Sequence, residues 1–299
     1  LDAVTYEFEN VPVEAARTLA AHVPVFPPPE ALEVAQDRLT EKTSFQQLSI
    51  PTPLFAAVQS REDLAAAARE LGLPAVLKTR RMGYDGKGQV VLREPADVDR
   101  AWSALGGTPL ILESFVPFDR ELSVLGVRGR TGETAFYPLI QNTHRGGILR
   151  RSLVPAPRLT EELQSLAEGY GRRVMEDLEY VGVLAIELFQ GGDQLVANEM
   201  APRVHNSGHW TLEGAETSQF ENHLRAILDL PLGSTAPRGR SAMLNIIGTL
   251  PDAQRVLAVP GAHLHLYDKA PRAGRKLGHV TVCAQDTSAA EEALTRLLA

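Results

Sequence analysis

Glu187 and Glu199 lie on either side of Gly191-Gly192-Asp193, a turn signal between the strand-like runs Val183–Phe189 and Gln194–Met200. Facing residues of a hairpin have position numbers with a constant sum, and this pair is centred on Asp193. Both side chains therefore fall on one face, next to each other across the strands. Two bare carboxylates so placed repel, and a cation between them relieves the repulsion. Mg²⁺ suits such a pair because it takes one or two carboxylates and completes its shell with phosphates and water. The alternative is two solvated glutamates on an exposed face. Glu187 speaks against it, since it interrupts Leu184-Ala185-Ile186 and Leu188-Phe189 in a strand otherwise fit for a core.

Three further groups carry charge in suggestive patterns. Lys78 precedes Gly83-Tyr84-Asp85-Gly86-Lys87-Gly88-Gln89. A lysine on a strand followed by a glycine-rich turn can fold over a polyphosphate, because glycines let backbone N–H groups approach the anion. No helix begins directly after these glycines, so neither the Walker A nor the dinucleotide pattern fits; a plain glycine-rich β-turn is the competing reading. The run Asn198-Glu199-Met200-Ala201-Pro202-Arg203-Val204-His205-Asn206-Ser207-Gly208-His209 directly follows the proposed metal strand. Arg203 offers a planar fork for a phosphoryl group or carboxylate, and His205 and Asn206 can orient a small oxyanion. A hydrogen-bonded loop is the alternative, preferred for His209. Lys269, Arg272, Arg275 and Lys276 form a basic loop, which is either solvated surface or an anion site in an acidic protein.

These groups need a scaffold, and the hydrophobic pattern supplies one. Strands are expected at Val4–Phe8, Ala75–Thr79, Gln89–Leu92, Leu110–Val116, Val183–Phe189, Gln194–Met200, Ala242–Thr249, His263–Tyr267 and His279–Ala284. Glu121–Arg128 and Thr134–Asn142 are expected to pair as a hairpin across Arg130-Thr131-Gly132. Helices are expected at Val13–His22, Glu30–Leu48, Arg61–Leu71, Asp97–Leu105, Thr160–Leu178 with Thr160 as N-cap, Phe220–Leu230 and Ala289–Leu298. Pro51 and Pro53 force an extended connection. The Pro-, Gly- and Ser-rich stretch Pro231–Arg240 reads as a domain boundary. Mixed helices and largely antiparallel sheets predict an α+β fold.

The 299 residues allow two or three domains with sizeable cores, and 44% hydrophobic against 22% charged residues is a globular balance. A net charge of −7 lacks the basic footprint of sequence-independent nucleic-acid binding. A single cysteine, Cys283, within an apolar run, excludes an internal disulfide and fits a reducing compartment. No stretch approaches transmembrane length. The start has no signal-peptide pattern and lacks a methionine, so the chain is expected to begin inside a domain.

Gln36-Asp37-Arg38-Leu39-Thr40-Glu41-Lys42, Lys78-Thr79-Arg80-Arg81, the Gly83–Gln89 run and the Asn198–Trp210 run together resemble the 5-(carboxyamino)imidazole ribonucleotide synthetase family of ATP-grasp enzymes. Thr5–Val11 and Tyr267–His279 also look like its segments, so the resemblance runs nearly end to end. It implies an ATP-grasp fold in three parts: residues 1–41 as the remainder of a Rossmann-like N-terminal lobe, 42–231 as the ATP-grasp domain with a mobile lid at about 74–112, and 232–299 as a small β-rich C-terminal domain. The implied activity is ATP- and Mg²⁺-dependent carboxylation of aminoimidazole ribonucleotide by bicarbonate through carboxyphosphate, with Mn²⁺ as a possible substitute metal, in a cytoplasmic homodimer. By resemblance Arg38, Lys78 and Gly83–Gln89 hold the ATP phosphates. Glu113, Ser114, Phe115 and Val116 lie against adenine, Glu121 takes the ribose hydroxyls, and His144 and Asn198 complete the nucleotide site. Glu187 and Glu199 are then the metal ligands. Tyr84, Asp85, Arg203, His205, Asn206, Lys269 and Arg275 face the ribonucleotide and carboxyphosphate, with Asp85 as the base. Another ATP-grasp purine ligase, activating formate or glycine, and a catalytically silent nucleotide-binding or dimerisation module are the rival readings.

Overall fold

Two prolines and an aspartate shape the first helices of the computed structural model, which describes residues 1–83 and 86–298. The expected strand Val4–Phe8 shrinks to a single parallel bridge between Val4 and Val25. Only Val4 finds backbone partners there, in Pro24 O and the Phe26 N–H, and without a flanking strand the ladder has nothing to extend along. Helix α1 is Val13–Ala20, and α2 is Pro29–Gln36, with proline at the start where its missing N–H costs nothing. The single helix expected over residues 30–48 is broken at Asp37. That residue is extended (φ −125°, ψ 110°), and its carboxylate accepts from the Leu39 N–H to cap α3, Arg38–Gln47. A capping aspartate thus outweighs the apolar periodicity that runs across it.

A four-stranded antiparallel sheet follows, ordered β1-β4-β2-β3. Its parts are β1 (Phe55–Val58), α4 (Arg61–Leu71), β2 (Ala75–Thr79), β3 (Gln89–Leu92), α5 (Asp97–Leu105) and β4 (Leu110–Ser114). Strand β1 goes unforeseen, since the two prolines before it mask a short pairing segment. Ser60 and Asp63 form a capping box at the start of α4. Helices α4 and α5 bury Leu64, Ala68, Val98 and Ala101 against Leu77, Leu92, Leu110 and Leu112.

The larger sheet has nine antiparallel strands. In chain order the elements are β5 (Arg120–Arg128), β6 (Thr134–Phe136), β7 (Ile140–Arg145), β8 (Ile148–Val154), α6 (Glu161–Asp177), β9 (Gly182–Gly191), β10 (Gln194–Ala201), α7 (Thr211–Gly214), α8 (Gln219–Ile227), β11 (Arg240–Ile247), α9 (Ala253–Leu257), β12 (Ala262–Leu266), β13 (Lys276–Ala284) and α10 (Thr287–Leu298). The spatial order is β10-β9-β5-β7-β8-β11-β13-β12, with β6 beside β5. The partner strand expected over 134–142 splits into β6 and β7 around Pro138. Proline has no N–H for the ladder, and the Leu139 N–H turns to Gln164 Oε1 instead. The stretch 231–240 does not interrupt the sheet, because β11 pairs with β8 from Ser241↔Val154 to Leu244↔Arg151.

Both faces of this sheet are covered, and the period of two sorts its residues. On β9, Leu184, Ile186 and Leu188 pack on the α6 side with Val174 and Met175. Val183 and Ala185 face the opposite side, toward Trp210 and Ile227. Glu187 and Phe189 share that second face, and with Ala185 they line a cleft. The glutamate that interrupts a core-like strand is therefore on the side that opens to the cleft.

Candidate active site

The cleft, of about 420 Å³, lies between the two sheets. Lys78 comes from β2, Glu113 and Ser114 from β4, Phe115 and Val116 from the segment after it, Glu121 from β5 and His144 from β7. Glu187, Asn198 and Glu199 come from the β9–β10 hairpin, Arg38 from α3, and Arg203, His205 and Asn206 from the loop after β10. Gly83, Gly86, Lys87 and Gln89 line it as well; Tyr84 and Asp85 lie outside the described residues. Gly88 does not reach it: its carbonyl accepts from the Thr79 N–H, and a Cβ there would sit 2.6 Å from Thr79 Oγ1, so it shapes the turn. Lys269 and Arg275 stay outside too. Lys269 Nζ lies 5.4 Å from the centre of the Tyr267 ring, and Arg275 donates to the Ala270 carbonyl. The basic-loop residue that enters the cleft is Lys276, at the start of β13. Side chains leave a strand in alternate directions, and charge composition alone could not choose between neighbours.

Glu187 and Glu199 are direct cross-strand partners, by a route the arithmetic did not foresee. From Gln194↔Gly191 to Ala197↔Leu188 the paired numbers sum to a value one lower than Glu199↔Glu187 requires, and the register shifts between Ala197 and Glu199. Asn198 is the extra residue of a β-bulge. Before it, Leu195 and Ala197 face the α6-side core; after it, Met200 does. Without the bulge Glu199 would project into that core, because a one-residue slip moves every side chain to the other face.

Charges in the cleft are held in a chain of contacts. Arg38 Nη1 donates to Glu199 Oε2 at 2.7 Å. Lys78 Nζ donates to Glu113 Oε2 at 2.9 Å, and buried Lys42 Nζ lies 3.6 Å from the same oxygen. Glu113 is only 2% exposed, and its Oε1 has no partner. Burial pushes its carboxyl up, but Lys42 and Lys78 outweigh that and hold it below the usual range. His144 Nδ1 is 2.8 Å from Glu121 Oε2. Burial would lower that imidazole, yet the Glu121 hydrogen bond and the Glu187 charge raise it. Arg203 is ion-paired with Glu9 and also donates to the Val204 carbonyl. Asn206 exchanges amide hydrogen bonds with Asn245 of β11, at 2.9 and 2.7 Å.

The two facing glutamates behave differently. Burial, then the Glu199 charge, pushes the Glu187 carboxyl up to about 7. Burial acts the same way on Glu199, but Arg38, aided by Lys78, keeps it strongly acidic. His205 Nε2 lies 3.7 Å from Glu187 Oε1, and its Nδ1 accepts from the Ser207 N–H at 3.4 Å. Burial, with Arg203 and Lys276 nearby, keeps that ring neutral. Asn198 Oδ1 is buried without a partner beside the pair. His209 stacks away from the cleft, among Phe220, Tyr267 and His279.

Comparison with known proteins places this chain in a family. In chain order, family models match for the ribonucleotide synthetase preATP-grasp domain over residues 1–36, the ATP-grasp domain over 43–220, and the phosphoribosylaminoimidazole carboxylase C-terminal domain over 241–293. A Pseudomonas aeruginosa N5-carboxyaminoimidazole ribonucleotide synthase is 58% identical over 286 residues, covering 96% of this chain and 79% of its own. The chain belongs to the N5-carboxyaminoimidazole ribonucleotide synthase family of ATP-grasp ligases. The Thermus thermophilus synthetase of that name superposes with a TM-score of 0.95 at 63% identity, over 99% of this chain and 81% of its own. An Aspergillus clavatus N5-carboxyaminoimidazole synthase, solved with ADP and the 5-aminoimidazole ribonucleotide, superposes at 0.93 with 32% identity, over the same shares.

Sequence reasoning gave no role to three residues that the fold brings to the cleft or its wall: Glu9 and the buried neighbours Glu41 and Lys42. The spacing of Arg38, Glu41 and Lys42 carried a signal for two of them, since i, i+3 and i+4 share one helical face. Glu9 had none, because only the folded chain sets it beside Arg203.

Proposed function

We propose that this chain spends ATP on activating bicarbonate and carboxylates 5-aminoimidazole ribonucleotide, giving the N5-carboxyamino product, ADP and phosphate. The observation that carries the site reading is the pairing of Glu187 with Glu199 on the cleft face, next to Arg38 and Lys78. A hard divalent cation fits these residues. Two facing carboxylates and the unpartnered Asn198 Oδ1 offer oxygen donors, and no group of three or more His, Cys, Asp or Glu suited to a metal occurs among the described residues. Such a set leaves coordination sites to phosphates and water, as Mg²⁺ or Mn²⁺ requires. When bound by Glu187 and Glu199, the cation would neutralise phosphate charge and polarise the γ-phosphoryl group.

The chain's own groups do the rest. Lys78 and Arg38 face the polyphosphate, and backbone N–H groups of residues 83–89 cover it. Glu113–Val116 receive the adenine, and Glu121, held by His144, takes the ribose hydroxyls. Arg203, His205 and Asn206 orient bicarbonate in line with the γ-phosphate. Arg203 is steadied by Glu9, and His205, being neutral, can donate to an oxyanion without adding charge. Closing the 83–89 loop excludes water from carboxyphosphate, which yields CO₂ beside the amine. Asp85 is our choice of base for the amine proton. We assign Tyr84 and Lys276 to the ribonucleotide, with Lys269 and Arg275 as weaker, outlying contributors.

The test is ADP release from the chain with bicarbonate or formate, with and without aminoimidazole ribonucleotide. Bicarbonate-stimulated release that rises further with the ribonucleotide is expected; stimulation by formate instead would assign another ligase, and none at all a silent module. Among the described residues no helix is long and apolar enough to cross a membrane. We place the chain in the cytoplasm as a homodimer, which light scattering on the purified protein checks.

A further inference from the structure

Strand β10 is an edge strand of the large sheet, so one row of its backbone groups has no neighbouring strand. The Pro51 carbonyl accepts from the Ala197 N–H of that row, and helix α3 covers the rest of its bulged part with side chains. Lys42 Nζ donates to the carbonyls of Ala197 (3.3 Å) and Asn198 (2.5 Å), and Glu41 Oε1 accepts from the Met200 N–H at 2.6 Å. Arg38, one turn earlier on the same face, reaches the Glu199 carboxylate itself. Three side chains of one helical face thus grip the four residues Ala197–Met200, which contain the bulge.

Lys42 and Glu41 are 0% and 1% exposed. Burying a lysine is costly unless its ammonium is matched, and apolar residues of similar size often pack there at no loss of stability. Lys42 has Glu113 as its counter-charge at 3.6 Å, and the remaining contacts of both side chains go to the bulge. The bulge leaves the Asn198 carbonyl and the Met200 N–H outside the regular ladder, and these are two of the groups that Lys42 and Glu41 satisfy. We infer that Glu41 and Lys42 are positioning residues, which lock the Asn198 bulge in β10 and so keep Glu199 opposite Glu187 on the cleft face. The inference rests on the reading of Glu187 and Glu199 as the metal pair.

The experiment titrates Mn²⁺ into the full chain with a non-hydrolysable ATP analogue, followed by electron paramagnetic resonance, and measures hydrogen exchange over residues 194–201. Lys42→Met and Glu41→Leu are expected to weaken Mn²⁺ binding by about tenfold or more, as loss of an orienting partner does, and to speed exchange in that segment. Glu41→Gln keeps an acceptor for the Met200 N–H and is expected to restore both readouts. Leu163→Ala, in the α6-side core away from the cleft, supplies a destabilised control. Equal Mn²⁺ weakening in that control, or wild-type Mn²⁺ affinity in folded Lys42→Met and Glu41→Leu, overturns the inference. If Lys42→Met does not fold, the Glu41→Leu and Glu41→Gln pair decides. Glu187→Gln and Glu199→Gln run alongside: should they bind Mn²⁺ normally, the metal reading itself is lost, whereas their failure with intact Lys42→Met and Glu41→Leu binding removes only the positioning role.

Discussion

The β9–β10 and β2–β3 hairpins both deliver charge to the cleft, yet they are built in opposite ways. The first joins strands of 10 and 8 residues through a tight turn at Gly192-Asp193, and α3 sutures its edge at the bulge. The second joins strands of 5 and 4 residues, paired only from Ala75↔Leu92 to Lys78↔Gln89, through a loop with positive φ at Met82, Gly86 and Gly88. The proposed metal pair would hold two like charges within one coordination shell, which demands a scaffold that cannot relax away. A polyphosphate cover must bring backbone amides close to an anion, which demands glycines and few side-chain ties. Glu113 links the two, because its carboxylate meets Lys78 of the β2–β3 hairpin and Lys42 of α3.

The largest effect should come from the rigid hairpin. Glu199→Gln removes one negative charge from the pair and is expected to cut bicarbonate-dependent ADP release by roughly a thousandfold, measured at saturating ATP; near-normal turnover breaks the comparison at its root. Next comes the link. Glu113→Gln leaves Lys42 and Lys78 without their shared counter-charge, at a cost of about 3–5 kcal/mol in urea unfolding. The folded carboxyl is held below its unfolded value, so its contribution is present above the unfolded pKa and is lost as pH falls through the folded one. The difference between wild type and Glu113→Gln should therefore narrow in acid.

The β2–β3 hairpin should answer more weakly. Gly86 has φ +75°, and a Cβ there would lie 2.9 Å from Gly147 Cα in the β7–β8 turn. Gly86→Ala is expected to raise KM for ATP about tenfold, from ~1–2 kcal/mol of backbone strain. Gly72→Ala, with φ +80° but nothing within 4 Å, should leave KM unchanged and cost only stability. The Glu187 carboxyl, raised to about 7, must lose its proton before it can take a cation. Mn²⁺ affinity should thus fall by up to about tenfold per unit as pH drops below that value, and the dependence should disappear in Glu187→Gln. Smallest of all, Lys269→Ala and Arg275→Ala lie outside the cleft and should change KM for the ribonucleotide by only about two- to threefold, as exposed charges do; a hundredfold rise would return them to the site.

Most long elements were legible because burial alternates with a fixed period. The 17-residue helix α6 with its Thr160 cap, the β9–β10 hairpin and the strands of the C-terminal part stand close to where periodicity puts them. What stayed hidden was set by a competing local preference or a distant partner. Asp37 breaks a helix that periodicity continues, Pro138 splits a strand, and Val4–Phe8 lacks a neighbour to pair with. Arg203 had a legible chemistry, but its partner Glu9 is remote in the chain.

By itself the sequence determined which side chains can do chemistry here, and that a turn within Gly191-Gly192-Asp193 brings Glu187 and Glu199 into neighbouring strands. Only the tertiary structure decided that both point into the same cleft. Hairpin pairing after that turn carries the wrong parity, and a bulge at Asn198, held by Glu41 and Lys42 from a remote helix, corrects it. Parity is a property of backbone register, and register answers to whatever satisfies the strand's free edge.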